Sequence, residues 1–111
     1  MDKITAYRSY VQDVIQRLGQ RIPASDSVET QYIFDKDHDH YQLFQVGWDR
    51  SEWVHGCILH LDIKQGKIWV QHNGTELGIA EDLLSLGVPA DDIVLGFQAP
   101  YKRKYTGFGE G

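Results

Sequence analysis

The sequence predicts one α+β domain in which an antiparallel sheet packs against helices. Apolar residues recur at helical spacing near the N-terminus, four runs of alternating residues follow, and a second short amphipathic segment ends at Gly87 and Pro89. The 111 residues are within the size range of a single domain, and 41% hydrophobic with 24% charged residues is typical of a globular chain. We therefore expect residues 1–111 to form one domain.

The first helix is predicted over residues 3–22. Asp2 precedes it as a capping residue, and Pro23 ends it because the residue before a proline avoids helical dihedral angles. The apolar positions that repeat at helical spacing are Ile4, Tyr7, Val11, Val14, Ile15, Leu18 and Ile22.

Four strands are predicted next, joined by short polar turns at 36–39, 49–52 and Gln65-Gly66. The strands are Val28–Asp35, His40–Trp48, Trp53–Lys64 and Lys67–Asn73. A glycine in a two-residue turn can adopt the positive φ that such turns need. Because no helical crossover separates the runs, they predict an antiparallel meander.

Pairing across the turns places Trp48 opposite Trp53, Ile63 opposite Ile68, and Leu59 opposite His72. Strict alternation then predicts a core face made of Phe44, Val46, Trp48, Trp53, Cys57, Leu59, Leu61, Ile63, Ile68 and Val70. The opposite face carries the apolar residues Tyr41, Leu43, Val54, Ile58 and Trp69 among polar ones that include His60, Asp62 and Gln71. A solvated face is normally polar throughout, so we expect a helix, the C-terminal tail or another subunit to cover it.

The second helix is predicted to begin near Asn73, with Asn73 or Thr75 as its cap. Its apolar stripe contains Ile79, Ala80, Leu83 and Leu84. A short strand is expected within residues 93–97, and Pro100 opens a flexible or docking tail over 101–111.

The formal net charge of −5 argues against nucleic-acid binding as the main activity. Residues 68–101 contain five acidic residues and no Lys or Arg, so the chain has no basic stripe. Salt-dependent duplex binding by Lys102, Arg103 and Lys104 is the alternative.

The N-terminus carries no apolar signal region, and no apolar run approaches the ~20 residues of a membrane span. With a single cysteine, these features predict a cytoplasmic protein with no membrane contact.

The sequence predicts no catalytic residue, metal or cofactor. His60 and Asp62 lie two apart on one strand face, where a carboxylate could orient an imidazole; we interpret them as a polar pair, with a ligand or enzymatic site as the alternative. The five histidines match no zinc spacing, although convergence of two or three of them stays open. Cys57 sits mid-strand, as a small hydrophobic residue would.

Several sequence blocks in order resemble the XisI family of filamentous cyanobacteria, over residues 28 to 105. They are Asp39-His40-Tyr41-Gln42-Leu43, Val46-Gly47-Trp48, His55-Gly56-Cys57, His60-Leu61-Asp62-Ile63-Lys64, Gly66-Lys67-Ile68-Trp69-Val70-Gln71, Gly74-Thr75-Glu76, Gly87-Val88-Pro89, Asp92-Ile93-Val94-Leu95 and Pro100-Tyr101-Lys102-Arg103-Lys104-Tyr105. Each block is weakly specific, whereas the ordered set is characteristic.

The resemblance implies a small α+β controlling factor for excision of the fdxN element during heterocyst differentiation, working beside a protein called XisH. The family brings no catalytic residue to these positions. The sequence thus predicts a non-enzymatic accessory protein that contacts an XisH-like partner and forms a homo-oligomer, most simply a dimer. Interfaces favour Tyr, Trp and Arg, so the predicted contact residues are Tyr41, Trp69, Tyr101, Lys102, Arg103, Lys104 and Tyr105.

Overall fold

The computed structural model describes residues 2–111 as a five-stranded sheet with two helices. The elements are α1 (Lys3–Arg21), β1 (Val28–Asp35), β2 (His40–Asp49), β3 (Glu52–Lys64), β4 (Lys67–Asn73), α2 (Ile79–Leu86) and β5 (Ile93–Leu95), with 3₁₀ helices at Ala90–Asp92 and Pro100–Tyr105. The spatial order is β1-β2-β3-β4-β5; the first four strands are antiparallel and β5 runs parallel to β4. The predicted α+β architecture is confirmed.

Helix α1 begins and ends where its sequence signals lie. The Thr5 amide donates a hydrogen bond of 2.8 Å to Asp2 Oδ1, which caps the first turn. The helix ends at Arg21, and Ile22 already has the extended conformation that Pro23 requires.

The core lies between the two helices and one face of the sheet. In β2, Tyr41 and Leu43 are fully buried there. The other buried members are Tyr7, Val11, Val14, Ile15, Leu18, Leu59, Leu61, Ile63, Ile68, Val70, Ile79, Ala80, Leu83, Val88 and Ile93. We call the opposite side, away from the helices, the outer face.

The predicted division between the two faces is wrong along the whole of β2 and in the part of β3 before Ile58. Leu43 pairs with Leu59, but the next pair is Phe44 with Cys57, so β3 carries one extra residue, Ile58. Because side chains alternate along a strand, the extra residue puts Cys57 on the opposite face from Leu59. Tyr41 and Leu43 pair with the core residues Leu61 and Leu59, so they belong to the core and not to the opposite face. The outer face receives Phe44, Val46, Trp48, Trp53 and Cys57, which the sequence placed inside.

A second bulge interrupts the pairing of β3 with β4. Leu61 faces Val70, as predicted, but His60 faces His72 and Leu59 faces Asn73, so the predicted pairing of Leu59 with His72 is wrong. The extra residue of this bulge is Gln71, whose side chain reaches the outer face.

Helix α2 begins six residues later than predicted, at Ile79. The Asn73 side chain stabilises the preceding loop instead, because its Oδ1 accepts hydrogen bonds from both the amide and the hydroxyl of Thr75. Leu84 is partly exposed and leaves the predicted apolar stripe. At the other end, Gly87 has φ 109° and closes the helix in the left-handed conformation.

Asp92 connects the C-terminal part of the chain to α1. Its carboxylate accepts a hydrogen bond from the Tyr7 hydroxyl and forms a 3.0 Å ion pair with Lys3. Burial alone would raise the pKa of Asp92, but the contacts from Tyr7 and Lys3 outweigh it and hold this pKa below its usual value.

We expect Asp92→Asn to make the stability of the protein less dependent on acid pH. A depressed pKa stabilises the folded state above the unfolded-state value of about 4, and this contribution disappears as pH falls through the folded pKa. Urea unfolding should therefore show a deficit in the variant at pH 7 that shrinks towards pH 3. Asp91→Asn at the exposed neighbouring position is the control; an Asp92 deficit that is equal at both pH values would contradict the prediction.

Over residues 2–111, neither helix has the length and apolar character needed to cross a bilayer.

Candidate functional site

A cluster of polar side chains lies at the end of the outer face near the turn at 36–39. It is centred on Asp62, which is only 8% exposed. His40 Nδ1 and His60 Nε2 both donate hydrogen bonds to Asp62 Oδ1, at 2.9 and 2.8 Å. Gln71 Nε2 donates to the other oxygen, Oδ2, at 3.1 Å. We call these four residues the His–Asp cluster; they come from three neighbouring strands.

Opposing effects act on the Asp62 carboxyl. Burial alone would raise its pKa, but the hydrogen bonds from His40, Gln71 and His60 outweigh burial, so the pKa of Asp62 is lowered. In return, the hydrogen bond to Asp62 raises the pKa of His40. Asp62 is therefore an ionised carboxylate at neutral pH, with both imidazoles oriented towards one oxygen.

The C-terminal tail covers Trp69, next to the His–Asp cluster. Arg103 lies over the indole with Cζ 5.2 Å from the ring centroid, and Lys64 Nζ approaches the same ring at 4.2 Å. Arg103 also donates hydrogen bonds to the carbonyls of Gly96 and Gln98. The Gly109 amide donates to the Ile93 carbonyl at 2.7 Å. The residues after Pro100 thus dock on the body of the protein.

The docked tail still presents aromatic and basic groups to solvent. Tyr101 and Tyr105 are 71% and 78% exposed, and Lys102 and Lys104 are exposed between them. Each lysine lies near the ring of the tyrosine beside it, with Nζ to centroid distances of 5.9 and 5.1 Å. Four of the predicted contact residues are therefore accessible to solvent.

The other end of the outer face, near the turn at 49–52, is apolar and exposed. Trp48 and Trp53 are 56% and 54% exposed, and their rings form a tilted pair with centroids 5.4 Å apart. Phe44 meets His55 edge-on at 4.9 Å beside them. We call Phe44, Val46, Trp48, Trp53 and His55 the tryptophan face.

Of the predicted contact residues, two are buried. Tyr41 lies in the core, where its hydroxyl donates to Asp39 Oδ1 at 2.9 Å and burial raises its pKa to about 12. Trp69 is on the outer face as predicted, but under the tail.

The tryptophan face was missed because strict alternation put both indoles in the core. His40 was missed as a neighbour of Asp62 because uninterrupted pairing from the turn at 49–52 places it opposite Leu61, and only the bulge at Ile58 places it opposite Asp62.

Two observations bear on the alternative that His60 and Asp62 form an enzymatic site: the positions of the surface cavities and the pKa of the Cys57 thiol. Three surface cavities lie elsewhere, lined by residues between α1 and α2, by the turn at 49–52, and by residues around Phe97 and Phe108. None of these three is lined by His60 or Asp62. Burial also raises the pKa of the Cys57 thiol, which disfavours the nucleophilic thiolate.

Comparisons with known proteins agree with this fold over nearly the whole chain. A XisI-like protein from Anabaena variabilis has 42% sequence identity and a TM-score of 0.91, with 97% of this chain and 98% of that one covered. The crystal structure of the fdxN element excision controlling factor XisI from Anabaena variabilis has 37% identity and a TM-score of 0.87, covering 99% and 100%. No curated protein matches. Since the XisI family model also matches residues 1–110, this chain belongs to the XisI family.

Proposed function

We propose that this chain is a non-enzymatic accessory protein that controls site-specific DNA excision by binding a protein partner of the XisH type. A relative of known structure is described as an fdxN element excision controlling factor. The observation that carries the proposal is the tryptophan face, where two adjacent indoles remain more than half exposed. Exposed apolar patches of this kind mark interaction sites, and tryptophan is enriched among residues that dominate binding energy.

The tail supplies a second contact region of different chemistry. Tyr101 and Tyr105 offer amphipathic rings, and Lys102 and Lys104 offer charges that suit an acidic partner surface. The tail and the tryptophan face carry the proposed recognition; Tyr41 supports it only from within the core. Arg103 and Trp69 hold the tail in place.

We also infer that the tryptophan face pairs two copies of this chain when the partner is absent. A C₂ dimer is the commonest oligomer, and it buries the same patch on both subunits. Sedimentation of the purified chain tests this part alone: a dimer that becomes a monomer in Trp53→Glu supports it, and a monomeric unmodified chain contradicts it.

Co-expression with an XisH-like protein, followed by affinity capture, tests the partner proposal. The double variant Trp48→Glu/Trp53→Glu should weaken capture at least about tenfold, since interface hot spots contribute about 2 kcal/mol or more. Phe97→Glu is the matched control because Phe97 is an equally exposed aromatic residue outside the face, at 53%. Capture that is equal in both variants would overturn the role of the tryptophan face.

Direct DNA binding is the competing function, and the same proteins distinguish it. It predicts a salt-dependent shift of duplex DNA by the chain alone, lost in Lys102→Glu/Lys104→Glu. We expect no such shift from a chain of net charge −5. A shift that requires these lysines would replace the partner proposal.

A further inference from the structure

We propose that His40, His60 and Asp62 bind one divalent transition-metal ion. Nothing in the sequence spacing predicts this site, because its ligands come from two strands and His40 lies 20 and 22 positions before the other two. The sheet register brings them together: His40 is the cross-strand partner of Asp62, and His60 is two residues from Asp62 on the same strand face.

The separation of the ligand atoms suits a single ion. Nδ1 of His40, Nε2 of His60 and a carboxylate oxygen of Asp62 all lie within 4.8 Å of one another. Ligands placed about 2.0–2.2 Å from a common tetrahedral zinc ion are roughly 3.3–3.6 Å apart. The two nitrogens are now 2.9 and 2.8 Å from Asp62 Oδ1, so each contact needs to open only slightly. Each coordinating nitrogen would bind the ion unprotonated: in a neutral imidazole its proton moves to the other ring nitrogen, and an imidazolium releases one proton to solvent.

The donor set selects the class of ion. Two imidazoles with one carboxylate favour Zn²⁺, Ni²⁺, Cu²⁺ or Fe²⁺ over Mg²⁺ and Ca²⁺, which prefer oxygen ligands. The buried carboxylate contributes one negative charge, and the exposed His40 side chain leaves one side of the site open to solvent. Three protein ligands with an open position resemble the coordination of reactive or exchangeable metal sites.

The residues around the three ligands hold them in position. Gln71 donates to Asp62 Oδ2, which leaves Oδ1 directed at the two imidazoles. Such outer contacts orient metal ligands in known sites, and their loss typically weakens metal binding about 10- to 100-fold. All four residues lie on the strands β2, β3 and β4, which are more rigid than loops.

Titration of the chelator-treated chain with Zn²⁺, in competition with a chromophoric chelator, tests the proposal. We expect one high-affinity equivalent per chain, weakened more than about tenfold in His40→Ala and in His60→Ala. Gln71→Leu should weaken it about 10- to 100-fold while all three ligands remain. His55→Ala is the matched control, because His55 is an exposed histidine of the same sheet outside the cluster.

Nitrogen-detected NMR of the histidine side chains gives a second readout that needs no activity. Zn²⁺ should shift the ring resonances of His40 and His60 and leave that of His55 unchanged. Far-UV circular dichroism confirms that each variant is folded, and His40→Ala stays informative if a buried-site variant unfolds because His40 is exposed. The proposal is overturned if the Zn²⁺ affinity is unchanged in each of the single variants His40→Ala and His60→Ala. It is also overturned if His55→Ala weakens Zn²⁺ binding as much as those two variants do.

Discussion

Leu43→Ala should lower the free energy of unfolding by about 2–5 kcal/mol, the range measured for removing a fully buried leucine side chain. Leu43 is 0% exposed and packs in the core between the sheet and the helices. Urea unfolding followed by far-UV circular dichroism measures the loss. A destabilisation this large approaches the whole stability of a small domain, so we expect a fraction of the variant to be unfolded without denaturant.

Phe44→Ala is the matched control for Leu43→Ala, since it removes a larger side chain at the next position. Phe44 lies beyond the bulge on the outer face, where its ring is half-buried against His55. We expect it to cost about 1 kcal/mol, near the value of an aromatic pair. A greater loss at Phe44 than at Leu43 would mean that the bulge is absent and that strict alternation describes this strand.

Trp69→Ala should both destabilise the protein and release its tail. Removal of a buried tryptophan side chain costs about 3–5 kcal/mol, and Arg103 loses the ring over which it lies. Trypsin cleaves after Lys and Arg, so cleavage at residues 102–104 should become faster than in the unmodified chain. Limited proteolysis with mass spectrometry follows the tail, and urea unfolding follows the core.

Two further variants separate release of the tail from loss of the core. Arg103→Gln removes the contact with Trp69 and hydrogen bonds to the Gly96 and Gln98 carbonyls, but leaves the indole in place. It should release the backbone of the tail, so that trypsin cleaves faster after Lys102 and Lys104, with a smaller loss of stability. Tyr101→Ala, at a side chain 71% exposed, should change neither measurement. Tail cleavage that is unchanged in both Trp69→Ala and Arg103→Gln would show that other contacts hold the tail.

The elements of this fold were predictable because their signals are local. Asp2 and Pro23 mark the ends of the first helix, and Gln65-Gly66 marks a tight turn. The pairs nearest each turn were also correct, such as Trp48 with Trp53 and Ile63 with Ile68. A turn sets the register of the residues beside it, and an error accumulates only where a strand gains a residue.

The two bulges had no local signal. Ile58 and Gln71 are ordinary strand residues by type, and nothing about them alone indicates that each stands unopposed. The start of α2 was misplaced for a related reason: Asn73 has a capping side chain, which the structure uses for a turn with Thr75. The same local hydrogen bond serves both purposes, and packing of Ile79 against the core decides between them.

The candidate site residues likewise include some that were predicted from local sequence and some that only the strand pairing brings together. The tail residues Tyr101, Lys102, Lys104 and Tyr105 were identified from their composition, and they are exposed. His60 and Asp62 were paired from their spacing alone. Gln71 was placed on the same face of the sheet, whereas the addition of His40 required the observed pairing of β2 with β3.

The sequence by itself determined the order of helices and strands, the acidic charge of the chain and its resemblance to the XisI family. Each of these depends on residue types at short spacing. Only the tertiary structure decided which side of the sheet is occupied by the residues of β2 and of the part of β3 before Ile58. The physical reason is that one extra residue, Ile58, reverses the alternation. That reversal buries Leu43 and exposes Trp48 and Trp53, so the surface proposed to meet a partner is a consequence of a bulge.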